Sequence, residues 1–187
     1  SFYRTRRPHG FSLKPGGMVL PKLLQMNQLD TIAIGKIYDI FAGVGFDAPH
    51  VTQNNAEGMA MTESCLKEDF HGLCFTNLVD FDMLYGHRND PAGYAGALTE
   101  FDRWWGDFLP RLGERDCLVI TADHGCDPGT PSTDHSREYV PVCIYSKELP
   151  PRPIGIRKSF ADLGRTIAAW FGISEGIQGE SFAEIWP

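Results

Sequence analysis

The sequence predicts an α/β domain in which a mostly parallel sheet is sandwiched by helices. Three observations carry that expectation. Short apolar runs rich in β-branched residues alternate with longer segments whose apolar residues recur at helical spacing. The resulting order is helix, strand, helix, strand, helix, strand, loop, strand, helix, which argues a parallel or mixed sheet covered on both faces. The strand-like runs also stop at turn residues, acids or imidazoles, and ligands of open α/β sheets bind outside the carboxyl ends of the strands.

Taken in order, residues 1–17 are polar, basic and turn-rich, with Pro8, Gly10, Pro15, Gly16 and Gly17, and read as a linker or the tail of a preceding element. Met18 to Met26 is a short helix, with Val19, Leu20, Leu23 and Leu24 at helical spacing and Pro21 tolerable in its first turn. Asp30 to Ile34 is a buried strand that ends in Gly35-Lys36. Lys36 is either a solvated lysine or a phosphate contact, and the residues alone leave both readings open. Ile37 to Thr52 is irregular, broken by Gly43, Gly45 and Pro49. Asn54 to Lys67 is helical despite Gly58. Gly72 to Val79 is a second buried strand and ends in Asp80-Phe81-Asp82, followed by Tyr85-Gly86-His87.

Pro91 to Leu112 is the longest amphipathic helix, with Tyr94, Ala97, Leu98, Phe101, Trp104, Trp105, Phe108 and Leu112 as one apolar stripe. Gly113 ends it. Cys117 to Ile120 is the next strand and stops at Thr121-Ala122-Asp123-His124-Gly125. A loop rich in Gly, Pro, Ser and Thr leads to Asp134-His135. Tyr139 to Tyr145 is a strand whose Pro141 suggests an edge. Ser159 to Phe171 is a helix with Phe160, Leu163, Ile167, Ala168 and Phe171 on one face, and a ragged tail, Gly179 to Phe182, follows.

The 187 residues suit one domain with a core of its own, and a 42% apolar, 22% charged composition is that of a soluble globular protein. The formal charge of -7, with no basic cluster beyond Arg4, Arg6 and Arg7, argues against a nucleic-acid partner. No apolar run approaches the roughly 20 residues of a membrane helix. No secretory pattern is visible, and the five cysteines (Cys65, Cys74, Cys117, Cys126, Cys143) show no CxxC spacing. They read as buried thiols in a reducing cytoplasm, with Cys126 a spectator beside the Asp-His-Gly turn. The chain starts Ser1-Phe2-Tyr3-Arg4 without Met, so a piece of something longer is expected.

Asp82 and His87 follow one strand, Asp123 and His124 another, and His135 lies in the loop beyond. If the two strands are neighbours, these five side chains share one rim. Asp and His are the natural mixed O/N ligands of a divalent transition metal. Crowded acids repel unless a cation compensates, and two divalent ions about 3.5–4 Å apart would do so while clamping the oxygens of a phosphoryl transfer. His9, His50 and His71 lack a carboxylate arrangement and read as exposed. Thr121, Thr130, Ser132, Thr133 and Ser136 lie nearby, but no spacing marks one as a nucleophile, and Asp127 or Asp134 could lend a further carboxylate.

TADHG at 121–125 followed by TDH at 133–135 resembles the alkaline phosphatase superfamily of two-metal phosphoryl and sulfuryl transfer enzymes. NLVDFDMLYGHRNDPAGY at 77–94, TADHGCDPGTPSTDHSREYVP at 121–141, IRKSFADLGRTIAAWFG at 156–172, IAIGKIYDIFAGVG at 32–45 and FYRT at 2–5 are similar to segments of its phosphopentomutase family, in the same order. The resemblance covers essentially the whole chain. It implies two manganese ions, one held by Asp82, His87 and His135, the other partly by Asp123 and His124. It also implies substrate-phosphate contacts from Arg4 and Lys36, and transfer of a phosphoryl group between the C1 and C5 oxygens of ribose or deoxyribose through a phosphothreonine and a pentose 1,5-bisphosphate. The sequence is similar only to the family's C-terminal half. Residues 1–14 would be the end of the cap or a linker, and 15–187 the C-terminal part of an alkaline-phosphatase-like core lacking its N-terminal strand and cap. The nucleophilic threonine is therefore expected outside this chain, which alone is expected to be inactive. A companion chain could carry the missing half. A non-catalytic metal-binding half, or another superfamily phosphomutase or phosphodiesterase, are the competing readings. Ligand imidazoles must be neutral, so activity is expected to fall in acid.

Overall fold

The computed structural model describes residues 12–47 and 49–185. Arg4 and His9 lie outside them. The described residues divide into two compact units, those up to residue 53, 60–77 and from 151 onward in the first and residues 54–59 and 78–150 in the second.

The first unit is built on a three-stranded parallel sheet with the order β2-β1-β3, from β1 (Asp30–Ile34), β2 (Pro49–His50) and β3 (Gly72–Thr76). β1 is the centre strand, and its Ala33 and Ile34 are almost fully buried. Helix α1 (Leu20–Met26) starts with Pro21 in its first turn, where the missing N–H costs nothing, and buries Leu23 and Leu24. It packs on β1 and β3. A single turn, α2 (Ile37–Ile40), and the two-residue β2 occupy the span expected to be irregular, and His50 sits half-buried in β2 beside Ile34. Ala33, Ile37 and Phe46 form a cluster against which Tyr38, Phe41 and Phe75 pack. Gly72 must be glycine for a steric reason: a Cβ there would lie 2.0 Å from the Asp30 carbonyl oxygen across the β1–β3 ladder.

Helix α3 (Asn55–Cys65) ends with Cys65, whose Sγ accepts from the Cys74 thiol of β3 at 3.5 Å. Sharing that hydrogen bond holds the Cys65 thiol below its ordinary pKa and drives Cys74 well above its own. The thiols are free, as expected. Cys117 and Cys143, however, are exposed and not buried as their apolar runs suggested.

The last helix of the first unit, α5 (Ala161–Trp170), departs most from its apolar pattern. Phe160 is 64% exposed, and the buried positions are Asp162, Thr166 and Ala168. The reason is the chain after it. Glu180 N–H donates to Asp162 Oδ1 at 2.9 Å, Phe182 N–H donates to Thr166 Oγ1 at 3.0 Å, and Thr166 Oγ1 donates to the Asp162 carbonyl at 2.7 Å. The segment read as a ragged tail is thus docked, and Phe182 is only 1% exposed under the Arg157 guanidinium.

The second unit holds α4 (Pro91–Phe108) and a separate two-stranded antiparallel sheet, β4 (Leu118–Thr121) with β5 (Val142–Tyr145). Asp90 caps α4 by accepting from Gly93 N–H at 2.9 Å, and Pro91 occupies the first turn. Phe81 packs on Tyr94 and Phe101, and Phe101 on Trp104 and Trp105, so the aromatic stripe is a core as expected, while Leu98 is half exposed. The fold class is the α/β one that the alternation indicates, with a parallel sheet flanked by helices. β3 and β4 nevertheless belong to different sheets, so the five acids and imidazoles do not share a rim by strand pairing.

Candidate metal centre

The site lies within the second unit, and irregular elements build it. After Val79, residues Phe81–Tyr85 form one π-helical turn, followed by a 3-10 turn at Gly86–Arg88. The π-turn carries Asp82 and the 3-10 turn carries His87. Single π-turns are concentrated at functional sites because the extra residue per turn redirects a side chain. Gly86 allows the tight pass: a Cβ there would stand 2.2 Å from Cys126 Sγ. Asp123 and His124 come from the turn after β4. His135 comes from the loop between β4 and β5, closed by a bridge between Gly125 and Ser136.

Asp82 Oδ1 is the centre of the arrangement. His87 Nε2 lies 3.2 Å from it and His135 Nε2 lies 3.4 Å from it. Ligand atoms of Asp82, His124 and His135 all fall within 4.8 Å of one another. The His124 and His135 rings stack at 3.5 Å between centroids, and His87 stacks on His135 at 5.0 Å. Asp123 stands at the edge, two-thirds exposed, with Oδ1 3.7 Å from His124 Nε2. Four of the five residues are thus brought together, and Asp123 adjoins them. Lys36 belongs to the first unit, at the start of α2.

Hydrogen bonding fixes the imidazoles. His87 Nδ1 is 2.6 Å from the Thr133 carbonyl oxygen, and His124 Nδ1 is 3.0 Å from the Gly125 carbonyl oxygen. A carbonyl only accepts, so each Nδ1 donates its proton there, and Nε2 is the ring nitrogen turned away from the backbone. Backbone carbonyls behind histidines are the usual outer partners of metal-ligating imidazoles.

Asp82 Oδ1 is itself buried and has no hydrogen-bond partner, although two imidazole nitrogens stand within 3.4 Å. Their directions do not give hydrogen-bond geometry. A buried carboxylate oxygen without a proton donor is costly. A cation between the oxygen and the Nε2 lone pairs removes that cost, so the donor set fits a divalent ion of the zinc or manganese type. Negative charge is felt nearby. Burial first, then Asp82 and Asp127, raise the Cys126 thiol above its ordinary pKa, and burial, Cys126 and Asp82 raise the Tyr94 hydroxyl.

The neighbouring hydroxyls and acids have other work. Thr130 Oγ1 donates to the Asp127 carbonyl at 3.0 Å, Asp127 Oδ1 accepts Gly129 N–H at 2.8 Å, and Ser132 Oγ accepts Asp134 N–H at 3.0 Å. Ser136 Oγ is buried without a hydrogen-bond partner. Asn89 was not singled out from the sequence, and it binds the loop before His135 through the Thr130 and Ser132 carbonyls.

A family model described as the Metalloenzyme superfamily matches residues 6–175. The chain belongs to the Metalloenzyme superfamily. Within this superfamily it is 50% identical over 98% of its length to a protein named phosphopentomutase from Lachnoclostridium phytofermentans, 51% identical over 97% to one from Acetivibrio thermocellus, and 46% identical over 97% to one from Limosilactobacillus reuteri. The chain spans about half the length of these curated relatives, 47%, 47% and 46% respectively. Among the described residues, no helix is long and apolar enough to cross a membrane.

Proposed function

We propose that this superfamily member supplies the cation-holding part of a phosphopentomutase, which interconverts the 1- and 5-phosphates of ribose or deoxyribose. The observation that carries the reading is Asp82 Oδ1, buried and without a hydrogen bond between the Nε2 atoms of His87 and His135. Identity near 50% to proteins named phosphopentomutase supports this reaction class and a pentose phosphate substrate.

In this reading Asp82, His87 and His135 hold one divalent cation, and His124 with Asp123 contributes to a second, manganese in both cases. Bound there, such cations neutralise charge on a transferring phosphoryl group and lower the pKa of an attacking hydroxyl. Asp82 supplies the negative charge that retains a cation. The Thr133 and Gly125 carbonyls accept from Nδ1 of His87 and His124, which leaves Nε2 of both rings to face a cation. In this reading the chain supplies ligands but not the phosphoryl-accepting threonine. Lys36 and Arg4 contact the substrate phosphate, a companion chain carries the nucleophile, and the reaction is cytoplasmic.

Isothermal titration of the 187-residue chain with Mn2+ or Zn2+ tests the cation sites. Binding should be present and should vanish in Asp82→Ala and His135→Ala, whereas unchanged binding in both variants would overturn the assignment. Conversion of ribose 1-phosphate to ribose 5-phosphate by the lone chain with Mn2+ should be undetectable. Turnover would show that the chain holds its own nucleophile. Hydrolysis of a phosphodiester without mutase activity would move it to another branch of the superfamily.

A further inference from the structure

The loop that delivers His135 has no regular structure of its own. Between β4 and β5 it runs through turns and bends, and residues 131–135 are all exposed. Burial therefore does not place His135. Three backbone carbonyls in the preceding five residues are nevertheless taken up by the 3-10 turn after Asp82 and its C-cap, Asn89. Asn89 Nδ2 donates to the Thr130 carbonyl and, at 2.9 Å, to the Ser132 carbonyl, and His87 Nδ1 donates to the Thr133 carbonyl.

Both Asn89 bonds run to carbonyl oxygens, so the side chain must present its –NH2 and uses both amide protons. Its backbone is left-handed, φ 49° and ψ 46°, a conformation that Asn tolerates better than other residues carrying a Cβ. The backbone conformation aims the side chain across at the loop. Asn89 thus joins the segment bearing Asp82 and His87 to the segment bearing His135, and it is not itself in the ligand group.

We propose that Asn89 is the positioning residue that sets His135 against Asp82, and so determines the cation affinity of this centre. The proposal rests on the reading of Asp82, His87 and His135 as ligands. Outer partners of metal ligands typically change affinity about 10–100-fold when removed, and Asn89 supplies both Nδ2 bonds that tie the Thr130 and Ser132 carbonyls to the segment bearing Asp82 and His87.

Two substitutions separate the amide from the backbone. Asn89→Gly keeps the left-handed conformation at no steric cost and removes both hydrogen bonds. Asn89→Asp keeps the shape but sets carboxylate oxygens against two carbonyl oxygens. Titration of the whole chain with Mn2+ and with Zn2+ should show affinity lowered at least about 10-fold in Asn89→Gly and at least as far in Asn89→Asp, while circular dichroism and the melting temperature without metal stay near wild type. Wild-type binding with unchanged affinity in Asn89→Gly would overturn the positioning role, and so would a lowered melting temperature with affinity intact. Absence of binding in the wild type would instead overturn the cation-site reading beneath it. If Asn89→Gly does not fold, Asn89→Asp decides on the same affinity readout.

Discussion

Asn55 and Asp80 exchange hydrogen bonds. Asn55 N–H donates to Asp80 Oδ2 at 2.8 Å, and Asp80 N–H donates to Asn55 Oδ1 at 2.9 Å. The pair closes the first turn of α3 onto the residue that opens the π-turn bearing Asp82. A carboxylate at a helix N-terminus also meets the positive end of the backbone dipoles. Asn55 is buried, so truncation strands the Asp80 N–H. Asn55→Ala should lower stability by about 1–3 kcal/mol in urea unfolding. Asn55→Asp should cost more, because it faces one carboxylate with another.

Gly86 and Cys126 are in steric opposition. Gly86 has an ordinary helical conformation (φ −61°), so a substitution there is penalised by space and not by backbone strain. A Cβ would stand 2.2 Å from Cys126 Sγ and 3.2 Å from the Phe81 carbonyl oxygen. Gly86→Ala should destabilise by about 1–3 kcal/mol, the usual cost of overpacking. In a Cys126→Ala background, where the sulfur is gone, much of that loss should disappear. The coupling in a double-mutant cycle measures it, and additive effects of the two substitutions would show that the sulfur is not the obstacle.

Asp162 links pH to stability. Its carboxylate accepts from Glu180, Lys158 and Ser159 N–H, and these bonds, the Glu180 one foremost, hold its pKa below the ordinary carboxylate value against an opposing push from burial. A depressed folded-state pKa contributes stability above the unfolded value, near 4, and loses it as pH falls through the folded value. Asp162→Asn should therefore lower the melting temperature near neutral pH by an amount equivalent to about 1.5–3 kcal/mol, the range for a hydrogen bond to a charged group. The gap from wild type should narrow as the pH drops below 4. A gap that stays constant with pH would remove the carboxylate's charge from the explanation.

The Asp-His pairs at 82/87 and 123/124, with His135 beyond, are legible in the sequence because turn residues and ligand-type side chains crowd within a few positions of each strand run. The long periodic segments are legible for a similar reason. α1, α3, α4 and α5 each fall inside an expected helix, and only their ends move by a few residues. The strands are shorter than their apolar runs. β3 stops at Thr76 and β5 begins at Val142, after Pro141, and all of β3 is half-buried.

Other features were hidden because their partners are distant in the chain. Asp162 and Thr166 look like the polar side of a helix until Glu180 and Phe182 supply the N–H groups that satisfy them. Phe182 itself sits among Gly, Glu and Ser, with no periodicity to mark it as core. Asn89 looks like one more turn residue until the Thr130 and Ser132 carbonyls reach it.

Short-range chemistry thus made the residue types, the helices and the candidate ligands readable from the amino-acid order, since propensity, periodicity and turn composition act over a few neighbours. Tertiary structure alone decided that β3 and β4 lie in different sheets, that His124 stacks on His135, and that two imidazole nitrogens stand at one buried Asp82 oxygen. Those relationships bring together side chains from separate turns and loops, and packing and hydrogen bonds between segments set them, which no local pattern encodes.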